Sequence, residues 1–172
     1  MRQITRGFLF FAMVLLLTGS NDELPTHPGD DPVNCTVGTT PDQQLSGCNL
    51  NNQDLSGANL RMAILTGVNF SGTNLAGADL SGANLNGANM RGADLTLSNL
   101  WYSTLVGTDL SGPNLTNVNL IRTDLTNAIM TGVTLTGTIW ETTLCPDGTI
   151  SDDHDSADNS CLNNLSLPTP TE

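Results

Sequence analysis

The chain has 172 residues, the size of one domain, and sets 17 acidic residues against 5 basic ones for a formal net charge of -12. All the basic residues are Arg and they are few, which excludes the clustered Lys and Arg of a phosphate-binding groove, and aromatics at 4% exclude a large aromatic core. Gly, Asn, Leu and Thr dominate what remains, a bias that points to an internal repeat.

The first 20 residues read as a signal peptide. Arg2 and Arg6 form a positive n-region, Phe8 to Leu17 is an unbroken apolar run, and Thr18, Gly19 and Ser20 offer a cleavage site after Ser20. The run is too short for a helix that spans a bilayer, which needs about 20 residues. Removal of this segment leaves 17 acids and 3 Arg, a net charge of -14. Residues 21–34, rich in Pro and acids, read as a flexible linker, and 35–44 as an N-terminal cap.

From Leu45 to Trp140 every fifth residue is large and apolar: twenty positions in register, sixteen Leu, two Met, one Phe and one Trp. Neither the helical period of 3.6 nor the strand period of 2 gives this spacing. The residue two before the apolar one is small, as at Ala58, Ala63, Ala78, Ala83, Ala88 and Ala93. The residue one before it is Asn or Asp in fourteen repeats, and the residue two after it is Gly in twelve. Each unit is therefore a short extended piece, with two inward side chains, followed by a tight corner that Gly and Asn tolerate.

This grammar closely resembles the pentapeptide-repeat family, whose consensus is A-[DN]-L-x-x, over about 100 residues from Gln43 to Thr142. The resemblance implies an all-β fold, a right-handed quadrilateral β-solenoid with four repeats per turn over residues 45–144. Twenty repeats then make about five coils, a rod about 24 Å long at the spacing of stacked strands. Each coil buries its apolar side chains only against its neighbours, so both ends need caps.

Four cysteines, Cys35, Cys48, Cys145 and Cys161, flank the repeat. In an exported chain an even number reads as two disulfides. Of three pairings, Cys35–Cys48 and Cys145–Cys161 join residues close in sequence at one end each. A zinc site is the weaker reading: no CxxC pair occurs, and the only histidines are His27 and His154. Cys145 falls on the next apolar slot, and Pro146, Asp147 and Gly148 break the period. Residues 145–161 therefore read as a disulfide-closed C-terminal cap, similar to the Cys-Pro-Asp-Gly-Thr ending of exported members of the family. Its Asp147, Asp152, Asp153, Asp155 and Asp158 do not follow the EF-hand order and read as a solvated loop. Residues 162–172 read as a flexible tail.

Residues 20 apart should stack, which sorts the outward positions by face. After Leu60, Leu80, Leu100, Leu120 and Trp140, the outward residues run Arg61, Ser81, Trp101, Ile121 and Glu141, and the corners run Met62, Gly82, Tyr102, Arg122 and Thr142. With Leu97 replacing a corner Gly on the preceding face, the residues Leu97, Trp101, Tyr102, Ile121 and Arg122 form a candidate binding patch. Tyr102 over Arg122 is alternatively a local cation–π contact. Thr96, Thr116 and Thr136 form a short column better read as ordinary strand polarity than as an ice-binding array. The sequons at Asn69 and Asn114 follow from the repeat itself.

No nucleophile–base set and no phosphate loop can be argued from spacing, so the expectation is a non-enzymatic protein with no cofactor and no metal. Between residues 45 and 144 lie six acids and three Arg, a net of only -3, so most of the negative charge is outside the repeat. That distribution, with export, argues against mimicry of DNA towards a topoisomerase. The expected role is an exported scaffold or binding module (periplasm, surface or medium) whose partner is a protein or envelope component rather than nucleic acid. A purely structural envelope protein is the alternative, and two rods have the aromatic edge available for pairing as a homodimer.

Overall fold

The computed structural model describes residues 35–151 and Cys161. The segments read as signal peptide, linker and tail, both histidines and Asp152, Asp153, Asp155 and Asp158 lie outside the described residues.

The fold is a right-handed quadrilateral β-solenoid. Parallel bridges join residues one coil apart, Gln44 to Ile64, Asn49 to Asn69, Asp54 to Asn74 and Asn59 to Asp79, and the four columns continue to Leu144, Ile129, Thr134 and Ile139. We number the coils one to five as residues 43–62, 63–82, 83–102, 103–122 and 123–142. The faces are one to four, centred in coil one on Leu45, Leu50, Leu55 and Leu60. On each face the ladder alternates direction: Leu65 N–H donates to the carbonyl of Asn84 (2.8 Å), and Asn84 N–H donates to the carbonyl of Ala63 (2.9 Å).

The corner follows the apolar residue. Ala78 N–H donates back to the Leu75 carbonyl (3.0 Å), closing a β-turn, and Gly77 between them has φ 67°. All corner positions in the repeat take this left-handed backbone, which is why Gly holds most of them. Pro113, which has no N–H, sits in the small inward slot of face three and removes the turn-closing bond at that corner.

The interior is a stack of Leu rungs. Leu60, Leu80, Leu100 and Leu120 are 0–1% exposed, as are their counterparts on the other faces through the middle coils. The small inward slot is held mostly by Ala, Val, Ser and Thr. The buried Thr73, Thr108, Thr123 and Thr143 each send Oγ1 to the carbonyl of a Leu one coil below: Leu50 (2.8 Å), Leu85 (2.8 Å), Leu100 (2.7 Å) and Leu120 (2.6 Å). Ser98 holds the same slot, 1% exposed, and its Oγ has no hydrogen-bond partner among the described residues.

Outside, the Asn/Asp position makes two kinds of bond. Its Oδ1 accepts from the backbone N–H two residues on, as Asp79 does from Ser81 (3.1 Å) and Asp94 from Thr96 (3.0 Å). Where it is Asn, its amide reaches down one coil: Asn69 to Asn49 (2.9 Å), Asn89 to Asn69 (3.2 Å) and Asn119 to Asn99 (3.1 Å). These acids and amides are thus turn-bonded and rung-bonded, the Asx-turn chemistry such side chains favour. Hydrogen bonding from Ser111 to Asp109, aided by Arg91 at 3.4 Å, holds the Asp109 carboxyl below its usual range.

Below coil one, Cys35 is bonded to Cys48, and Gln43 ties the segment down. Its Oε1 accepts from Gly38 N–H (2.7 Å), and its Nε2 donates to the carbonyls of Thr40 (2.9 Å) and Asn59 (2.8 Å). Above coil five, the chain reverses at Gly148 (φ 84°), so that Ile150 pairs antiparallel with Leu144 and Ser151 N–H bonds the Thr143 carbonyl (2.8 Å). Cys145 is bonded to Cys161, and both are buried in the interior stack.

Three outcomes follow from these placements. Leu95→Ala, at the centre of face three, lowers stability by about 2–5 kcal/mol in chemical denaturation. Ser98→Ala deletes an unpartnered hydroxyl from a slot that Ala fills elsewhere, and raises stability by about 1 kcal/mol in the same assay. The third concerns pH. The folded Asp109 carboxyl titrates below the ordinary value of 3.8, so the unfolded chain takes up the proton first as pH falls. Its contribution is complete above that value and is lost as pH drops through the lower folded value. Asp109→Asn is therefore expected to flatten the loss of thermal midpoint below about pH 4 while leaving the plateau above about pH 5 level.

Candidate functional site

The corner column of face four departs from the rest of the rod. The corners of the other three faces are Gly or Asn in every coil except at Leu97. On face four they are Met62 (φ 56°), Gly82, Tyr102 (φ 59°), Arg122 (φ 56°) and Thr142 (φ 51°), and Leu97 on face three has φ 61°. A bulky residue held at such a φ costs of order 1 kcal/mol or more, paid by the surrounding structure. The ladder holds these residues there. Tyr102 N–H donates to the Ile121 carbonyl (3.0 Å), Leu97 N–H to Thr116 (3.0 Å), and Arg122 N–H to Glu141 (2.8 Å).

The side chains so displayed are open to solvent: Leu97 65%, Tyr102 62% and Trp101 43% exposed. Trp101 and Tyr102 touch, with ring centroids 5.7 Å apart and planes tilted by 38°. This ring pair, rather than a Tyr102–Arg122 cation–π contact, is the aromatic interaction recorded at the site. Ile121 lies half-buried directly above Trp101, and Arg122 extends exposed from the next corner. Among the described residues Arg122 and Glu141 form no ion pair, whereas Arg61 approaches Asp79 at 3.9 Å.

Two apolar neighbours were not part of the sequence-derived patch. Ile139, 52% exposed, stands on face four of coil five one rung above Asn119. The signal for it was an Ile in the Asn/Asp slot, where an outward apolar residue gains nothing from turn bonding. Met62, at the foot of the same corner column, lays its thioether across Gly82, leaving no room there for a Cβ. Ile129 follows the same rule as Ile139 but belongs to face two, away from this edge.

The Thr column of face three is stacked as its spacing requires, yet two of its three hydroxyls are already engaged: Thr116 Oγ1 bonds Asn114 Oδ1 at 2.6 Å, and Thr96 Oγ1 bonds Asp94 Oδ1. Asp147, the one described acid of residues 145–161, accepts from Thr149 N–H (3.0 Å) and Oγ1 (2.7 Å), and that bonding holds its carboxyl below the usual range. Among the described residues no cluster of His, Cys, Asp and Glu is arranged to hold a metal, and no helix is long and apolar enough to cross a membrane.

Comparison with known proteins bears on the fold more than on the site. The family model for pentapeptide repeats matches in eight copies across residues 44–80, 63–101, 73–112 and 103–139. No curated protein matches the chain. Among solved structures, HetL, a pentapeptide repeat protein involved in heterocyst differentiation regulation from the cyanobacterium Nostoc, is 29% identical with a TM-score of 0.50. The match covers 66% of this chain and 59% of HetL, so this chain spans well under two thirds of that protein. Rfr23, a pentapeptide repeat protein of the cyanobacterium Cyanothece, is 34% identical over 59% of this chain and 63% of its own, with a TM-score of 0.27. QnrB1, a plasmid-mediated fluoroquinolone resistance protein, is 15% identical over 62% of this chain and 74% of its own, with a TM-score of 0.47. Family match, twenty-residue ladder and left-handed corners together place the chain in the pentapeptide-repeat family.

Proposed function

We propose that the chain is an exported, non-enzymatic scaffold that binds a protein or envelope component through the aromatic edge of face four. The observation that carries this reading is the occupancy of the left-handed corners. Leu97, Tyr102 and Arg122 stand where Gly would cost nothing, and each points a large side chain into solvent. Backbone strain spent on exposed groups stabilises nothing in the rod, so the return is sought in recognition. Aromatic and Arg side chains are the residues that anchor protein interfaces.

Export is supported by the pairing of every cysteine, with none free, since such bonds persist in oxidising compartments. In this reading residues 1–20 are the signal peptide, and 35–44 and 145–161 are caps that keep the end coils from pairing edge to edge. The acids of the rod are scattered: Asp124 on face one, Asp109 on face two, Asp54 and Asp94 on face three, Asp79 and Glu141 on face four. A duplex backbone is a continuous line of charge, and no face of this rod offers one, which favours a protein surface over a topoisomerase's DNA site as the partner.

The test immobilises the full chain with its disulfides formed and passes envelope extract and culture fluid over it, beside the double variant Trp101→Ser, Tyr102→Ser. Both replaced residues are exposed, so the variant's stability should change by less than about 1 kcal/mol, checked by thermal unfolding. A partner held by the native protein and lost by the variant is the expected result. Equal retention by both would reduce the edge to tolerated surface and favour a purely structural rod.

A further inference from the structure

We infer that the partner of face four is a second copy of this chain, packed face to face with the two rods antiparallel. The inference rests on the aromatic edge being a binding surface, and it adds the occupant.

Read up the rod, face four carries a charge order with a centre. Arg61 stands in coil one, Asp79 in coil two, Trp101 and Tyr102 in coil three, Arg122 in coil four and Glu141 in coil five. The aromatic pair occupies the middle coil, and the charges on either side run positive, negative, then positive, negative. A two-fold axis through coil three, perpendicular to the rod and lying in the contact plane, exchanges coil one with coil five and coil two with coil four. Arg61 then faces the partner's Glu141, and both occupy the same position of the repeat, directly after the core residue. Arg122 falls on the partner's second coil, whose acid is Asp79. Trp101 and Tyr102 meet their own copies on the axis, the self-complementary arrangement an isologous interface requires.

The competing two-fold axis runs along the rod and keeps the copies parallel. With the aromatic column on that axis it sets Arg61, Arg122 and Glu141 each level with and against its own copy, and like charges so opposed disfavour it. The charge order therefore selects the antiparallel pair. It also brings Arg122 and Glu141, which form no ion pair among the described residues, against the partner's Asp79 and the partner's Arg61, whose own contact within one chain is a long and exposed 3.9 Å. Within one chain Arg61 and Glu141 are four coils apart, about 19 Å, so they cannot compensate each other.

The area sets the strength. The face is about 24 Å tall and some 10–15 Å wide at strand and coil spacing, which makes the interface small and places it among reversible associations rather than permanent dimers.

Sedimentation equilibrium of the full, disulfide-bonded chain between about 10 µM and 1 mM is the decisive measurement, with thermal unfolding confirming that each variant is folded. The expected result is a concentration-dependent dimer. Glu141→Arg and Arg61→Glu should each weaken it by about tenfold or more, and Trp101→Ser with Tyr102→Ser should abolish it. Arg61→Glu combined with Glu141→Arg should restore association towards the native level, since the swap rebuilds both contacts only if the two residues meet across the two-fold. A chain that stays monomeric to 1 mM would overturn the inference, and the aromatic edge would then stand or fall on capture of a different protein. A dimer indifferent to all these changes would overturn it too, because the contact would lie elsewhere on the rod. Loss in both single variants without rescue in the double would refute the antiparallel register.

Discussion

A square coil of twenty residues closes only if the backbone turns left-handed once every five residues. That local requirement sets the positions of everything else. It places two side chains of each unit inside, aligns the extended pieces so that parallel bonds run up all four faces, and leaves Leu to stack on Leu through the rod. Because the ladder is continuous, each coil is held by the coils above and below, and the apolar column is sealed only where chain folds over its ends. The inward hydroxyls of Thr73, Thr108, Thr123 and Thr143 extend the same logic, each tying its strand to a Leu carbonyl one turn of the chain below.

The corner requirement also separates the residues the fold asks for from those it merely accommodates. Gly meets it at no cost and Asn at little, so residues of those kinds carry no message. Leu97, Tyr102 and Arg122 meet it at a cost, and none of them buries its side chain in return. Their restriction to the two corner columns that flank face four turns a uniform rod into one with a distinguishable side. The polar ladders elsewhere, Asn over Asn and Asp over its own turn, satisfy their hydrogen bonds internally and leave comparatively little for a partner to read.

Much of this was legible in the residues. The period of five, the family grammar and the twenty-residue stacking led directly to the solenoid, and the neighbourhood of Leu97, Trp101, Tyr102, Ile121 and Arg122 came from counting coils. The strain at the corners did not, because a residue list carries no φ and an Arg in a Gly slot reads only as an irregularity. The partners of the inward hydroxyls were hidden for a similar reason: Thr73 and Leu50 are 23 residues apart and meet only after a full coil is wound. Tyr102 meets the ring of its chain neighbour Trp101, a contact that counting coils does not reveal because it lies within one corner. Ile139 was visible in principle, as an apolar residue where the repeat asks for Asn or Asp.

The bridges between residues 20 apart have a further consequence for how such a chain can change length. Insertion or deletion of twenty residues adds or removes one storey and leaves every column above it in place. A change of five keeps the core pattern intact, since the next Leu still falls inside, yet it turns all the chain beyond it by a quarter of the square. The rod would remain a rod while Trp101 and Glu141 parted onto different sides. The interior is therefore indifferent to a slip that rearranges the whole exterior, and the number of repeats between Arg61 and Glu141 matters to the surface alone.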